Sequence, residues 1–210
     1  MSPSSPVRHP VAHPATRLIA PVVAGLLAAT ALAGCGGDSG AQSGATRPIA
    51  MEHVAPATLA PGEPVPVPVG PPVLTLSGRI GTTNVGDTLQ FDLATLERLG
   101  LVGYRVDDRL AEGRVATFQG VLLERVLAMA APDRGTTRLQ AHALNDYEVS
   151  IPLSDVRSYP VLVASSVDGA RMAVDKYGPI RVMYPYGAYG LKPPVADEKL
   201  IWQLDRIEVR

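Results

Sequence analysis

The sequence has a single cysteine, few aromatic residues and no excess of charge of either sign. Cys35 is the only cysteine among 210 residues, which excludes an internal disulfide framework and a zinc site built from several thiolates. With 19 basic and 20 acidic residues the formal net charge is −1, whereas a nucleic-acid-binding protein carries a basic excess. We therefore expect no nucleic acid among the partners of this chain.

The prolines and the aromatic residues divide the chain into two parts. Thirteen of the 20 prolines lie in residues 1–72, and that stretch contains no Trp, Tyr or Phe. A proline-rich segment without aromatic side chains buries too little apolar surface to offset the entropy that it loses on ordering. We therefore predict one folded domain over residues 73–210, which is long enough for a hydrophobic core.

The N-terminus has the pattern of a secretory signal peptide. An uncharged apolar run, LIAPVVAGLLAATALAG, spans residues 18–34 and follows Arg8 and Arg17. A basic segment before a short apolar run is typical of such signals, and this run is shorter than the roughly 20 residues of a membrane-spanning helix. A buried core helix is the alternative, but the run has no polar face. We predict residues 1–34 as a signal peptide.

The apolar run ends in Leu32-Ala33-Gly34-Cys35, which resembles the lipobox of bacterial lipoproteins. In that family the signal peptide is cut before the cysteine, the thiol receives a diacylglycerol, and the new amino group is acylated, for example with palmitate. The resemblance implies lipidation at Cys35 and a membrane anchor in the bacterial cell envelope, on the periplasmic or cell-surface side. Several acyl chains make such an anchor durable. An ordinary signal peptide that contains a cysteine is the alternative.

Residues 35–72 are predicted to form a disordered tether behind the lipidated cysteine. The stretch GGDSGAQSGA is a flexible start, and PGEPVPVPVGPP is typical of a polyproline II spacer. A ligand for a proline-recognising partner is the functional alternative for the second stretch. His53 lies in this tether, and we expect it to be exposed to solvent and without a role.

The predicted domain has the pattern of an α+β fold, mainly β, with mixed sheets and a few short helices. Alternating or short apolar runs predict strands over residues 73–78, 89–91, 138–144, 147–151, 161–164, 180–184 and 202–209. Asp92 is predicted to cap a helix that stops at Gly100, and a second helix is predicted from Gly120 to Pro132. The charged stretch 101–117 is expected to be an exposed excursion.

Four segments of this domain carry a family resemblance. They are Phe118-Gln119-Gly120-Val121-Leu122-Leu123, then Leu144-Asn145-Asp146-Tyr147 with Ile151-Pro152-Leu153, then residues 161–185 with Gly178-Pro179-Ile180-Arg181, and finally residues 200–207 around Trp202. In this order they resemble the sulfite-oxidase-like oxidoreductase molybdopterin-binding domain family. The resemblance covers essentially all of residues 73–210 and implies the architecture of that family.

The resemblance also implies cofactor-binding residues. It assigns cofactor-binding roles to Arg181, Asn145 and Gly178, and it implies molybdopterin as the cofactor. Arg181 follows a Gly-Pro pair where the family contacts the pterin phosphate or another anionic ligand. A guanidinium suits an anion because its donors form a fixed fork. An ion pair of Arg181 with Asp175 or Glu198 is the alternative.

One position of the family pattern is empty in this chain. The catalytic members bind molybdenum through a cysteine thiolate on a strand upstream of the Phe/Trp-x-Gly segment, and residues 73–210 contain no cysteine. A metal centre with a dithiolene cofactor favours a soft thiolate partner. We therefore expect no catalytic residue, no metal-binding residue and no resident cofactor, and predict a membrane-tethered domain that binds a small anionic ligand or an envelope protein. The alternatives are an active molybdopterin-dependent oxidoreductase of the cell envelope and a purely structural envelope protein.

Three tyrosines lie close together near the end of the domain. Tyr184, Tyr186 and Tyr189 belong to the segment YPYGAYG, which has glycines between its aromatic residues. The segment is predicted either to line a cleft or to form a small satellite cluster beneath a loop.

Overall fold

Two β-sheets form the framework of the computed structural model, which describes residues 48–108, 114–191 and 197–210. The strands are β1 (Glu52–Ala55), β2 (Leu74–Gly78), β3 (Leu89–Phe91), β4 (Leu101–Asp108), β5 (Arg114–Leu122), β6 (Arg138–Ala143), β7 (Glu148–Pro152), β8 (Leu162–Val167), β9 (Ala170–Arg171), β10 (Arg181–Met183) and β11 (Leu204–Val209). The α-helices are α1 (Leu93–Glu97), α2 (Leu123–Ala130) and α3 (Leu153–Ser158). The predicted signal peptide, Cys35 and the start of the predicted tether lie outside the described residues.

The two sheets differ in the direction of their strands. The first has the order β1-β4-β5-β8-β10, with β9 paired to β8, and its neighbouring strands are antiparallel. The second has the order β3-β2-β11-β6-β7 and is mixed, because β11 runs parallel to β2 and antiparallel to β6. The helices are short. The predicted α+β class of mainly β, mixed sheets is therefore confirmed, and no helix in the described ranges is long and apolar enough to cross a membrane.

The prediction of an exposed excursion over residues 101–117 is wrong. This stretch supplies β4 and the first four residues of β5, and the two strands pair antiparallel within the first sheet. Val102, Tyr104 and Val106 alternate along β4 with their side chains buried, while Arg105 between them is exposed. This alternation is the pattern of a strand with one face on the core. It was not recognised in the sequence because charged residues lie between the buried positions.

The prediction of a disordered tether is wrong for residues 52–72, and the folded part therefore begins before residue 73. β1 pairs with β4, and both Leu59 and Val65 are buried in the core. The backbone amide of Leu59 donates to the carbonyl oxygen of Arg98 at 3.1 Å. The partners of this segment lie far away in the sequence, so its composition alone did not reveal them. His53 is exposed, as expected.

The helices begin where local chemistry or tertiary contacts allow. Asp92 caps α1 as predicted, because its carboxylate accepts the backbone amide of Thr95 at 2.7 Å. Gly100 ends that region with a φ of +92°, a conformation that favours glycine. The second helix begins at Leu123 rather than at Gly120, since the strand β5 continues through Leu122.

Gly120 lies where the backbones of β5 and β8 come unusually close. Gln119 pairs with Ser166, and Gly120 pairs with Ala164. Ser165 is therefore the extra residue of a β-bulge, which bends β8 locally. A Cβ atom at Gly120 would overlap a backbone carbonyl oxygen of β8. The family-like Phe-x-Gly segment thus marks a packing requirement between two central strands.

Glu97, the last residue of α1, ties this helix to the first sheet. The hydroxyl of Ser165 donates to Glu97 Oε1 at 2.6 Å, and Arg171 Nη2 donates to Glu97 Oε2 at 2.7 Å. Arg171 Nη1 also bonds to Glu97 Oε1. Burial alone would raise the pKa of Glu97, but the hydrogen bonds from Arg171 and Ser165 outweigh it and hold the pKa below its usual value.

We expect the substitution Gly120→Ala to lower the free energy of unfolding by about 1–3 kcal/mol, because the added methyl group must displace the backbone of β8. Chemical denaturation measures this change. Gly70→Ala is the matched control, since a Cβ at Gly70 meets nothing within 4 Å, and it should shift stability by less than about 0.5 kcal/mol. Equal unfolding midpoints for the two variants would contradict the close approach of the strands.

We expect Glu97→Gln to destabilise the protein in a pH-dependent way. The folded pKa of Glu97 is lowered, so its contribution is present above the unfolded pKa and disappears as the pH falls through the folded pKa. The difference in unfolding free energy between the wild type and the variant should therefore shrink between about pH 7 and about pH 3. Denaturant titrations at several pH values measure it, and a difference that stays constant with pH would refute the ion pair's role.

Candidate functional site

Exposed apolar side chains gather around Gln203, just before β11. Leu144 and Tyr147 flank the turn between β6 and β7, while Val174 and Tyr177 lie at the 3₁₀ helix Val174–Lys176, and all four side chains are exposed. The ring of Tyr177 also lies 4.3 Å from that of Trp202, measured between centroids. We call these five residues, Leu144, Tyr147, Val174, Tyr177 and Trp202, the Gln203 patch. Exposed apolar groups in one place are typical of an interaction surface.

Hydrogen bonds from the backbone and side chain of Gln203 hold the patch together. The amide of Leu144 donates to the Gln203 carbonyl oxygen at 2.9 Å, and the Gln203 amide donates to the carbonyl oxygen of Tyr177 at 3.2 Å. Gln203 Nε2 donates to the carbonyl oxygen of Val174 at 2.6 Å. The β6–β7 turn and the 3₁₀ helix are therefore both fixed to the segment that enters β11.

The backbone is strained at three positions of the same region. Asp146, Tyr177 and Gln203 have φ angles of +64°, +72° and +51°. This left-handed conformation costs roughly 1–2 kcal/mol for a residue with a side chain, although Asp tolerates it better than Tyr or Gln. Strained residues persist where surrounding structure holds them, and they cluster at binding and catalytic sites. The Gln203 patch is therefore the candidate functional site.

Arg181, the predicted anion contact, lies buried beneath this patch. Only 2% of its surface is exposed. Its Cζ atom lies 5.0 Å from the centroid of the Phe118 ring and 5.8 Å from that of Tyr177, distances at which a guanidinium is attracted to an aromatic face. One of the two rings belongs to the patch itself. Because it is buried, the guanidinium is not open to an anion from solvent in this structure.

The other two predicted cofactor-binding residues lie at the edge of the patch and have structural contacts. Gly178 follows Tyr177 and is buried, and a Cβ there would overlap the backbone of Met172. Asn145 is exposed in the β6–β7 turn, where its Oδ1 accepts the amide of Tyr147 at 3.2 Å. The absence of a side chain at Gly178 thus allows a close chain crossing, and the short side chain of Asn145 stabilises a turn.

The functional candidates that the sequence did not indicate are Tyr177, Trp202 and Gln203. Left-handed backbone is usually signalled by glycine, and neither Tyr177 nor Gln203 gives that signal. Trp202, the single tryptophan, was recognised only as part of the family pattern. A search for large aromatic residues next to turn segments would have singled out both rings.

The tyrosines of the segment YPYGAYG belong mainly to the core. Tyr184 is fully buried, and its hydroxyl donates to Asp155 Oδ2 at 3.0 Å. Lys199 Nζ lies 2.6 Å from the same oxygen. Burial, reinforced by the neighbouring carboxylate, raises the pKa of Tyr184 well above its usual value. Tyr186 is also buried, so these two side chains pack in the interior and do not line an open cleft.

The residues present do not fit a molybdenum centre of the kind that the family resemblance implies. Residues 73–210 contain no cysteine to supply a thiolate. Within the ranges that the structure describes, no group of three or more His, Cys, Asp or Glu side chains is placed to hold a metal ion. Arg181, which the resemblance assigns to an anionic group, is covered by Phe118 and Tyr177.

Comparison with known proteins agrees with the fold. Residues 106–193 match the family model of the oxidoreductase molybdopterin binding domain. A similar solved structure is the sulfane dehydrogenase SoxCD from Paracoccus pantotrophus, with a TM-score of 0.50 and 17% sequence identity, and the alignment covers 65% of this chain and 37% of that chain. At this identity the similarity shows the fold alone, and the chain spans little more than a third of that relative. No curated protein matches the sequence. The sequence resemblance to the oxidoreductase molybdopterin-binding domain family is therefore confirmed by the family model over residues 106–193.

Proposed function

We propose that the chain is a lipid-anchored protein of the bacterial cell envelope whose molybdopterin-binding-type domain binds a partner and performs no molybdenum chemistry. The observation that carries the proposal is the state of the implied cofactor residues. The thiolate position is empty, because residues 73–210 contain no cysteine. The guanidinium of Arg181 is buried, and two aromatic rings lie beside it.

The Gln203 patch is the surface that we assign to the partner. Its exposed aromatic and aliphatic side chains suit the apolar centre of a protein interface, where Tyr and Trp are enriched. The hydrogen bonds of Gln203 hold the backbone of the patch in place before binding, at the cost of a left-handed conformation at Tyr177 and Gln203. An envelope protein fits this surface better than a small anionic ligand, because Arg181, the cation that would attract an anion, is covered.

An active molybdopterin-dependent oxidoreductase is the second candidate function. The observation that favours it is the match of residues 106–193 to the family model. The family's fold and its chemistry are separable, however, because activity resides in the residues of a site and not in the fold itself. No cofactor is part of our proposal, and molybdopterin belongs to the second candidate only.

Metal analysis distinguishes the two candidates. We expect the full-length protein, purified from a host that makes the molybdenum cofactor, to contain molybdenum only at background level, because the domain has no thiolate to ligate it. A known molybdenum enzyme purified from the same host is the positive control. Stoichiometric molybdenum in this protein would overturn the proposal and establish the second candidate.

The anchor is tested separately by the substitution Cys35→Ala. We expect the variant to move from the membrane fraction to the soluble fraction, because it loses acyl chains that each contribute about 0.8 kcal/mol per buried methylene group. Ser39→Ala, a change in the same segment, should stay with the membranes. Unchanged membrane partition of the Cys35→Ala variant would refute lipidation at this residue.

A further inference from the structure

The proline-rich segment that was predicted to be a spacer is attached to the domain and exposes apolar side chains. Residues 64–72, PVPVPVGPP, form what we call the proline ridge. Val69 is 99% exposed and Val67 is 60% exposed, although both are large apolar residues. Val65, in contrast, is buried in the core. The ridge is therefore a fixed feature of the surface, and it takes no part in the Gln203 patch.

The ridge contacts the domain through two residues that lie three positions apart. Val65 is buried and Pro68 is half-buried, while the other seven residues of the ridge are exposed. A polyproline II helix has three residues per turn, so residues three apart share one edge. Pro71, the next residue at this spacing, is exposed, so the ridge packs on the domain only at Val65 and Pro68. The outward edges consist of Pro66, Val69 and Pro72 on one side and Pro64, Val67 and Gly70 on the other.

Two side chains of the domain fix the backbone of the ridge. Asn84 Nδ2 donates to the carbonyl oxygen of Pro66 at 2.9 Å, and the amide of Val69 donates to Asp92 Oδ2 at 3.3 Å. Asn84 is itself held by Gln90, whose amide donates to Asn84 Oδ1 at 2.8 Å. A segment that is ordered before binding loses less entropy when a partner docks.

We propose that the proline ridge is a docking surface for a protein domain with an aromatic-lined groove that binds polyproline II segments. Such grooves insert the apolar residues of a preformed polyproline II helix between aromatic side chains. The exposed residues of the ridge are apolar, and the ridge contains no charged residue. We therefore expect its partner to present an apolar surface and not a highly charged one. A plain spacer does not require the anchoring of its backbone by Asn84 and Asp92.

Binding to purified polyproline-recognition domains tests this proposal. The probes are an SH3 domain, a bacterial SH3-like domain and a WW domain, each titrated against the full-length protein by calorimetry. We expect at least one of them to bind with a dissociation constant in the micromolar range and a stoichiometry of one. The double variant Val67→Asp and Val69→Asp should weaken that binding by at least about tenfold.

Two further variants separate docking from a loss of folding. Val115→Asp is the matched control, because Val115 is a 57% exposed valine of β5 outside the ridge, and it should bind like the wild type. Asn84→Ala keeps every exposed side chain of the ridge but removes its clamp, and it should bind several-fold more weakly. Failure of all three probes to bind, or unchanged binding by the double variant, would overturn the proposal.

Discussion

The close approach of β5 and β8 at Gly120 is the contact on which the first sheet depends. A Cβ at this position would overlap the backbone of β8, so the observed spacing of the two central strands requires glycine. The same pairing brings Phe118 over Arg181 and leaves Ser165 in a bulge, where it reaches Glu97. The pairing at Gly120 therefore positions Phe118 beside Arg181 and Ser165 beside Glu97 of α1, in addition to packing the sheet.

Arg181 is buried beside two aromatic rings. Its guanidinium lies near the rings of Phe118 and Tyr177, at distances where a cation is attracted to an aromatic face. Tyr177 is held by Gln203 in a strained backbone conformation. The hydrogen bond from the Gln203 amide to the Tyr177 carbonyl oxygen helps to offset this strain and holds an exposed aromatic side chain near the buried guanidinium.

The sequence revealed those elements whose signals are local. Asp92 and Gly100 delimit α1 through a side-chain cap and a left-handed residue, both of which can be read from the residue types. β4 was missed because charged residues between its buried positions masked the alternation. Residues 52–72 are ordered by contacts with residues distant in the sequence, which composition does not indicate. The candidate site depends on left-handed backbone at Tyr177 and Gln203, and neither residue is a glycine, the usual sequence signal of that conformation.

The central proposal is that this domain keeps the fold of its family and does not keep the cofactor. Its most direct test is the pterin content of the full-length protein, purified from a host that makes molybdopterin and measured by the fluorescence of the oxidised pterin after its release. We expect a signal no higher than that of an unrelated protein purified in parallel. One pterin per chain would contradict the proposal, because it would show that Arg181 and its neighbours still accommodate the cofactor.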